Sequence, residues 1–261
     1  MTAPQRPLVV IPTYEEQDNI VEALDRVLRA APAADVLVVD DSSPDRTEAL
    51  VRAHPQFEGR VHLLVRPDKS GLGAAYRAGF AWALNHDYDA VVQMDADLSH
   101  SPERVPALIA ALAENDLAIG SRYVRGGGVE DWALSRRVIS RLGNIYVSLV
   151  LGLPVRDATA GFKAFRADAL AEIGAVGSQS NGYCFQIENT WQAVRHGLSV
   201  TEVPIIFTDR TAGTSKMSGA IVLEAIIRVL GWRFRDPRSG LARVLPFRNG
   251  TQRSRGVAQV R

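Results

Sequence analysis

Two carboxylates one residue apart, Asp95 and Asp97, interrupt the stretch AVVQMDADLSHSPE, Ala90 to Glu103. A run of core-type residues precedes them, and Ser101-Pro102 behind them marks a helix start, serine as N-cap and proline at the first helical position. Oxygen donors so placed suit a hard divalent cation, Mg²⁺ or Mn²⁺, which takes one or two carboxylates from protein and the rest from phosphate and water. A zinc site would want three nearby histidines or thiolates, which are absent. The plain alternative is a turn-forming or capping pair. That alternative would be preferred for a lone D-x-D, but the place of this one, at the end of a buried strand, favours the metal.

A second pair, Asp40 and Asp41, closes the run VLVVDDSSPDRT, where an Asx-turn and a helix cap through Asp45 would also account for the residues. A third run, VVIPTYEE, adds Tyr14 and Glu16, an aromatic face and an acceptor. Three such ends together could hold a base, a ribose and a metal-bound diphosphate. A departing nucleoside diphosphate also needs cations aimed at it. Arg122, behind the run DLAIGS, and Arg210 and Lys216, in the polar loop Thr208–Gly219, are the candidates. For Arg210 and Lys216 taken alone, a solvated surface charge is the simpler reading. The run KSGLGAAYRAGF (Lys69–Phe80) lacks the order of a phosphate-binding P-loop, and its glycines read equally well as a tight start to a helix.

These residues need a frame, and the first half of the chain supplies one. LVVIP, DVLVVD, VHLLV, AVVQM and DLAIGS are short β-branched runs, apolar enough to be buried on both faces as in a parallel sheet. Helical patterns alternate with them at Glu16–Ala31, Asp45–His54, Leu72–Asn85 and Pro102–Glu114. Strand and helix in alternation predict a mostly parallel α/β sheet with helices on both faces. Asp41, Asp95 and Asp97 then fall at the carboxyl edge of the sheet, where ligands of open α/β folds bind. Beyond Ser121 come a glycine-rich loop, an amphipathic helix from Leu134 to about Leu151, a turn and strand at DATAGFKAF, helices near Asp168–Ile173 and Cys184–His196, and a strand SVTEVPIIF. The expected domain covers residues 1–235 and ends in an amphipathic helix over about 218–234. Residues 236–261 are expected to be a disordered arginine-rich tail: from Arg228 onward there are nine arginines and one acid, Asp236.

With 261 residues, 46% of them hydrophobic, and a net charge of +1, the chain is globular in type and offers no global field for nucleic acid. One cysteine, Cys184, excludes an intrachain disulfide and fits a reducing compartment. No secretory leader and no apolar run of about 18 residues is found. The expected location is therefore the cytoplasmic side of any membrane the protein serves.

The motifs PTYEE, VVDDSSPDRT, GLGAAYRAG, MDADLSHSPE, GSRYVRGGGVEDW, RRVISRLGN, DATAGFKAFR and VPIIFTDRTAGTSKM resemble those of the dolichyl- or polyprenyl-phosphate mannosyltransferases of glycosyltransferase family 2. The resemblance runs from about Leu8 to Gly231. It implies a GT-A nucleotide-diphospho-sugar fold and transfer of mannose from GDP-mannose to a polyprenyl phosphate. It also implies that Pro12, Tyr14, Glu16, Val39 and Asp41 border the guanosine. Asp95, Ala96 and Asp97 would contact the nucleotide sugar, with Asp97 the principal metal ligand. Arg122, Arg210 and Lys216 would hold the phosphates. Some members continue into membrane-spanning helices and this chain does not, so its attachment is expected from a membrane surface or a separate anchoring protein. IVLEAIIRVLGWRF offers one route: Glu224, Arg228, Gly231 and Arg235 form a single polar stripe on an otherwise apolar helix. That helix could lie among lipid headgroups, or pack on the sheet or on a partner. Competing readings are a glucosyltransferase using a UDP-sugar and a catalytically silent nucleotide-binding subunit. A nicotinamide-binding enzyme is disfavoured because no G-x-G-x-x-G follows LVVIP.

Overall fold

The computed structural model describes residues 2–209 and 219–235, with the side chains of its last helix described over 225–234. Arg210, Lys216, most of the Thr208–Gly219 loop and the 236–261 tail lie outside the described residues. The β-branched runs form β1 (Pro7–Thr13), β2 (Asp35–Asp40), β3 (Val61–Val65), β4 (Ala90–Gln93) and β5 (Leu117–Ser121). Helices α1 (Ile20–Ala30), α2 (Thr47–Arg52), α3 (Leu72–Leu84) and α4 (Val105–Ala111) alternate with them. Then follow β6 (Gly128–Val129), α5 (Leu134–Leu151), β7 (Lys163–Arg166), α6 (Ala167–Glu172), α7 (Gly182–Arg195), β8 (Val200–Pro204), β9 (Ile206–Phe207) and α8 (Gly219–Arg235).

Seven strands make the main sheet, in the order β3-β2-β1-β4-β7-β5-β8. Four of the six pairings are parallel, as the alternation of strand and helix predicts. The two made by β7, with β4 and with β5, are antiparallel. This reversal matters for the site. It turns the residues just before β7, the DATAGF turn, toward the carboxyl ends of β4 and β5, and the Gly120 N–H donates to the Phe162 carbonyl there at 2.8 Å. Two apolar layers cover the sheet. One face carries Val10, Val39, Val91 and Phe165 under α3, α5, α6 and α7. The other carries Val9, Val38, Val92 and Ala164 under α1 and α4. Alternate residues of each strand go to opposite faces, as the pleat requires.

Three details depart from the sequence reading. The first helix starts at Ile20 and not Glu16, because Glu15 sits at φ 58° and the Glu16 carbonyl is taken by the Asn19 and Ile20 amides in a turn. Ser101 stands at the N-cap of a 3-10 turn but makes no capping bond; its hydroxyl donates to Glu103 at 2.5 Å. SVTEVPIIF is two strands, since Ile205 turns its side chain into the core and β9 leaves the main sheet to pair with β6.

Helix α3 lies close against β1 and β2 because Gly79 has no side chain. A Cβ there would come within 2.5 Å of a Val10 methyl and 3.3 Å of a Val39 methyl. At the start of the same helix a Cβ on Gly73 would lie 2.8 Å from the Ser180 carbonyl. In GLGAAYRAG, Gly73 and Gly79 are there for close packing, while Gly71 takes the positive φ, 88°, of the turn into the helix.

Candidate active site

β2 and β4 flank β1 on either side, with Pro12 opposite Val39 and Val10 opposite Gln93. The Asp41 amide donates to Thr13 and the Met94 amide to Val10, so the pairing continues to the point where each chain leaves the sheet. Adjacent strands lie about 4.8 Å apart, so all three exits open within about 10 Å of one another. This brings PTYEE, DDSSPDRT and DADLSHS to one edge.

The two aspartates of the β2 exit do different work. Asp40 is buried and accepts from the Thr13 hydroxyl at 2.7 Å, the Ser43 hydroxyl at 2.6 Å and the Ser43 amide at 2.9 Å. Those bonds tie the β1 and β2 loops together. Asp41 pairs with Arg66 at 2.6 Å and accepts from the Ser70 amide. Asp45 acts as expected, accepting from the Thr47 amide at the start of α2 and from the Gln17 amide across the cleft. Tyr14 is half-buried, and the Lys69 ammonium stands 3.3 Å from its ring centre. Pro12 and Glu16 are half-buried beside it. Val39 is wholly inside the core, so only its backbone can face a ligand.

At the β4 exit Asp95 and Asp97 are half-buried and Ala96 between them is buried. Asp97 accepts from the Ser99 amide at 3.1 Å, a local bond that sets the turn. Asp95 accepts from the Tyr76 hydroxyl at 3.1 Å. Tyr76 is fully buried in α3, parallel to Phe185 with ring centres 6.1 Å apart, so the core itself holds Asp95 in position. Burial, then the charge of Asp95, pushes the Tyr76 pKa well above its ordinary value, and the phenol stays a donor. His100 is buried with its Nδ1 3.8 Å from Asp95, and burial lowers its pKa, which favours the neutral ring. Gly161 completes the arrangement from the turn before β7. A point one Cβ away from it lies within 4 Å of Asp95 Oδ2, His100 Cε1 and Gln186 Nε2. No three His, Cys, Asp or Glu side chains cluster as a ready-made metal site among the described residues, but two half-buried carboxylates are oxygen donors of the kind that suits Mg²⁺ or Mn²⁺ when phosphate and water supply the rest.

Arg122 lies at the β5 exit with its side chain only 9% exposed. Its Nε and a terminal nitrogen donate to the two oxygens of Asp157 at 2.8 and 2.6 Å, and its backbone amide donates to the same carboxylate. A further bond reaches the Thr159 hydroxyl at 3.0 Å. Burial pulls the guanidinium pKa down, but the Asp157 carboxylate more than offsets that and leaves it above the usual value. The cation that the sequence offers to a phosphate is thus already held by a carboxylate. Rings of Tyr123, Trp132 and Phe207 surround it at 5.3 to 5.7 Å. Arg136 of α5 stacks on Trp132 and pairs with Asp209 at 2.6 Å, which anchors the chain just ahead of Arg210.

Lys163 is a fully buried cation that sequence reading missed. Its ammonium donates to the Gln186 carbonyl at 2.6 Å and the Thr190 hydroxyl at 2.9 Å. Burial lowers its pKa to about 7, with Asp157 pulling the other way. The unfolded chain therefore binds more protons than the folded one between about pH 7 and the ordinary lysine range, and stability rises with pH across that window. Lys163→Met should flatten this rise when melting temperature is followed from pH 7 to 9.5. An unchanged pH profile would show that Lys163 titrates normally.

Tyr76, His100, Lys163 and Asp157 were not singled out from sequence, although all four lie in quoted motifs. Only the tertiary fold puts Asp157 against Arg122, 35 residues earlier.

A family model for "Glycosyl transferase family 2" matches residues 8–174. The chain is 49% identical over 236 residues to a polyprenol monophosphomannose synthase of Mycolicibacterium smegmatis, covering 88% of each chain. It is 47% identical over 227 residues to an undecaprenyl-phosphate mannosyltransferase of Micrococcus luteus, covering 87% of this chain and 93% of that one. Among solved structures, glucosyl-3-phosphoglycerate synthase from Mycobacterium tuberculosis, in complex with Mn²⁺, UDP-glucose and phosphoglyceric acid, superposes with a TM-score of 0.65. That match is 20% identical and covers 88% of this chain and 79% of the other, a likeness of fold. The architecture is that of the GT-A glycosyltransferases. With a family match over more than half its length and curated relatives near half-identical, the chain belongs to glycosyl transferase family 2.

Proposed function

We propose that the protein transfers mannose from GDP-mannose to a polyprenyl monophosphate, with inversion, giving the β-mannosyl phosphate lipid and GDP at the cytoplasmic face of a membrane. One observation carries the lipid part of this reading. A groove of about 400 Å³ runs between α5 and α8, lined largely by apolar side chains such as Ile139, Leu142, Val147 and Ile226. Its polar end includes Thr159, the hydroxyl that Arg122 contacts, two residues from Gly161 beside Asp95. An apolar groove whose lining includes the hydroxyl bonded to Arg122 suits an acceptor with a prenyl chain and a phosphate head. The named relatives supply the sugar and the lipid class.

In this reading an oxygen of the lipid phosphate forms a bond to the anomeric carbon as the bond from that carbon to the diphosphate breaks. The bonding electrons leave with GDP. The acceptor needs no base, because a phosphate monoester with a second pKa near ~6 is already largely dianionic at pH 7. The residues then position and neutralise two polyanions. Pro12, Tyr14, Glu16, Asp41 and the backbone of Val39 border the guanosine. Asp95, Ala96 and Asp97 meet the nucleotide sugar, and Tyr76 and Asp157 keep Asp95 and Arg122 in position. Arg210 and Lys216 supply positive charge to the phosphates, and Arg122, its charge shared with Asp157, lines the same edge. Asp95 and Asp97 would hold Mg²⁺ or Mn²⁺, which when bound adds charge against the departing diphosphate.

The test uses radiolabelled GDP-mannose and UDP-glucose with a short prenyl phosphate, with and without chelator. Turnover of GDP-mannose should exceed that of UDP-glucose by at least about 100-fold. Chelator should abolish it and added Mg²⁺ or Mn²⁺ restore it. Preference for UDP-glucose would move the assignment to a glucosyltransferase, and transfer of neither sugar would refute it.

A further inference from the structure

β8 closes one side of the main sheet, and it places an acid where its neighbours place apolar side chains. Val200 and Glu202 stand two apart, so the pleat puts them on one face. Their partners on β5, Leu117 and Ile119, are buried in the layer under α5, α6 and α7, and Val200 packs against that layer too. Glu202 is half-buried there. A carboxylate so placed needs donors.

It meets two consecutive peptide N–H groups. Oε2 accepts from the Arg156 amide at 2.9 Å, and Oε1 accepts from the Asp157 amide at 3.0 Å. Two charge-assisted bonds to successive amides fix both the place and the orientation of the peptide between them. The turn needs such a hold. Residues 156–161 lie in no strand or helix, yet they carry Asp157 to Arg122, Thr159 to the groove and Gly161 to the hollow beside Asp95. Asn144 of α5 holds the middle of the turn, accepting from the Thr159 amide at 3.1 Å. The Gly120 amide holds its far end through the Phe162 carbonyl. Glu202 holds the near end, directly behind the carboxylate that takes Arg122. Asp157 is wholly buried and accepts from the amide, the Nε and a terminal nitrogen of Arg122, so a shift of its backbone moves the guanidinium with it.

We propose that Glu202 is a positioning residue of the transfer site. By clamping the 156–157 amides it sets Asp157, and through Asp157 the Arg122 guanidinium, at the carboxyl edge of the sheet. The proposal rests on the sugar-transfer reading above for what the site does, and on these hydrogen bonds for how Glu202 acts.

Two variants test it: Glu202→Ala removes both acceptors, and Glu202→Gln keeps one. The first readout does not depend on catalysis. It is the side-chain N–H signal of Arg122 Nε in NMR spectra, assigned by its loss in Arg122→Met. In Glu202→Ala that signal should shift, and its hydrogen exchange should quicken at least about tenfold. Glu202→Gln should fall between this and wild type. The second readout is transfer from GDP-mannose to a short prenyl phosphate. Glu202→Ala should slow it about 10- to 100-fold, the scale of a misplacement of about 1 Å. In an Arg122→Met background the same substitution should slow transfer no further, because the group it positions is gone. Losses that multiply would make Glu202 a general stabiliser of the fold and overturn the proposal. So would an Arg122 signal unchanged in Glu202→Ala. If Glu202→Ala fails to fold, Glu202→Gln carries both comparisons with smaller changes. A wild type that transfers no sugar would refute the sugar-transfer reading, and the Arg122 signal would still decide the positioning.

Discussion

Replacing Asp97 by alanine should lower the rate of sugar transfer at least about 10³-fold, the scale of losing a metal-held charge at a departing diphosphate. Asp97 accepts from the Ser99 amide at 3.1 Å, and the side chain is half-buried. Loss of a local hydrogen bond of this kind costs about 1 kcal/mol, well below the expected loss of rate. Asp40→Ala is the informative contrast. Asp40 is buried under three hydrogen bonds that join two loops, and its loss should destabilise the fold by about 2–4 kcal/mol. Radiolabelled transfer and thermal melting, measured on both variants, separate the roles. Full activity in Asp97→Ala would sink the metal assignment.

Asp157→Ala should be among the most damaging substitutions outside the apolar core. It leaves the Arg122 guanidinium buried among aromatic rings with the Thr159 hydroxyl bond but without its carboxylate, and breaking one side of such a pair costs about 3–5 kcal/mol. For a chain of this size that lowers the melting temperature on the order of 10 °C. The double variant Arg122→Met with Asp157→Leu should recover much of the loss, because the unpaired charge is gone. It should not recover transfer if the cation of Arg122 serves the phosphates. A single variant that melts like wild type would mean that Arg122 finds solvent or another carboxylate, contrary to its burial.

Much of the frame could be read from residue order because the signal is local. β-Branched runs buried on both faces and amphipathic stretches between them specify strand and helix through periodicity. α5 has the predicted ends, Leu134 and Leu151, because the apolar repeat starts and stops there and Gly152 takes the left-handed conformation behind it. The ends of β1, β2 and β4 are legible for the same reason, and with them the gathering of the three exit loops at one edge of the sheet. Glu16, Ser101 and Ile205 show the weaker side of local reading. Each obeys a neighbour outside its own window: a positive-φ residue, a nearby carboxylate, the core.

What the residue order determined by itself is therefore a mostly parallel sheet and a carboxylate pair, Asp95 and Asp97, at its carboxyl edge. Both follow from spacing along a few residues. The tertiary structure decided which groups those carboxylates and cations meet. The antiparallel course of β7 carries Asp157, Thr159 and Gly161 to the same edge, where Asp157 takes Arg122 and Gly161 leaves a hollow beside Asp95. Tyr76 reaches Asp95 only because Gly79 lets α3 settle against β1. Such pairings join segments tens of residues apart, and no period in the chain encodes them, because they depend on how whole elements stack.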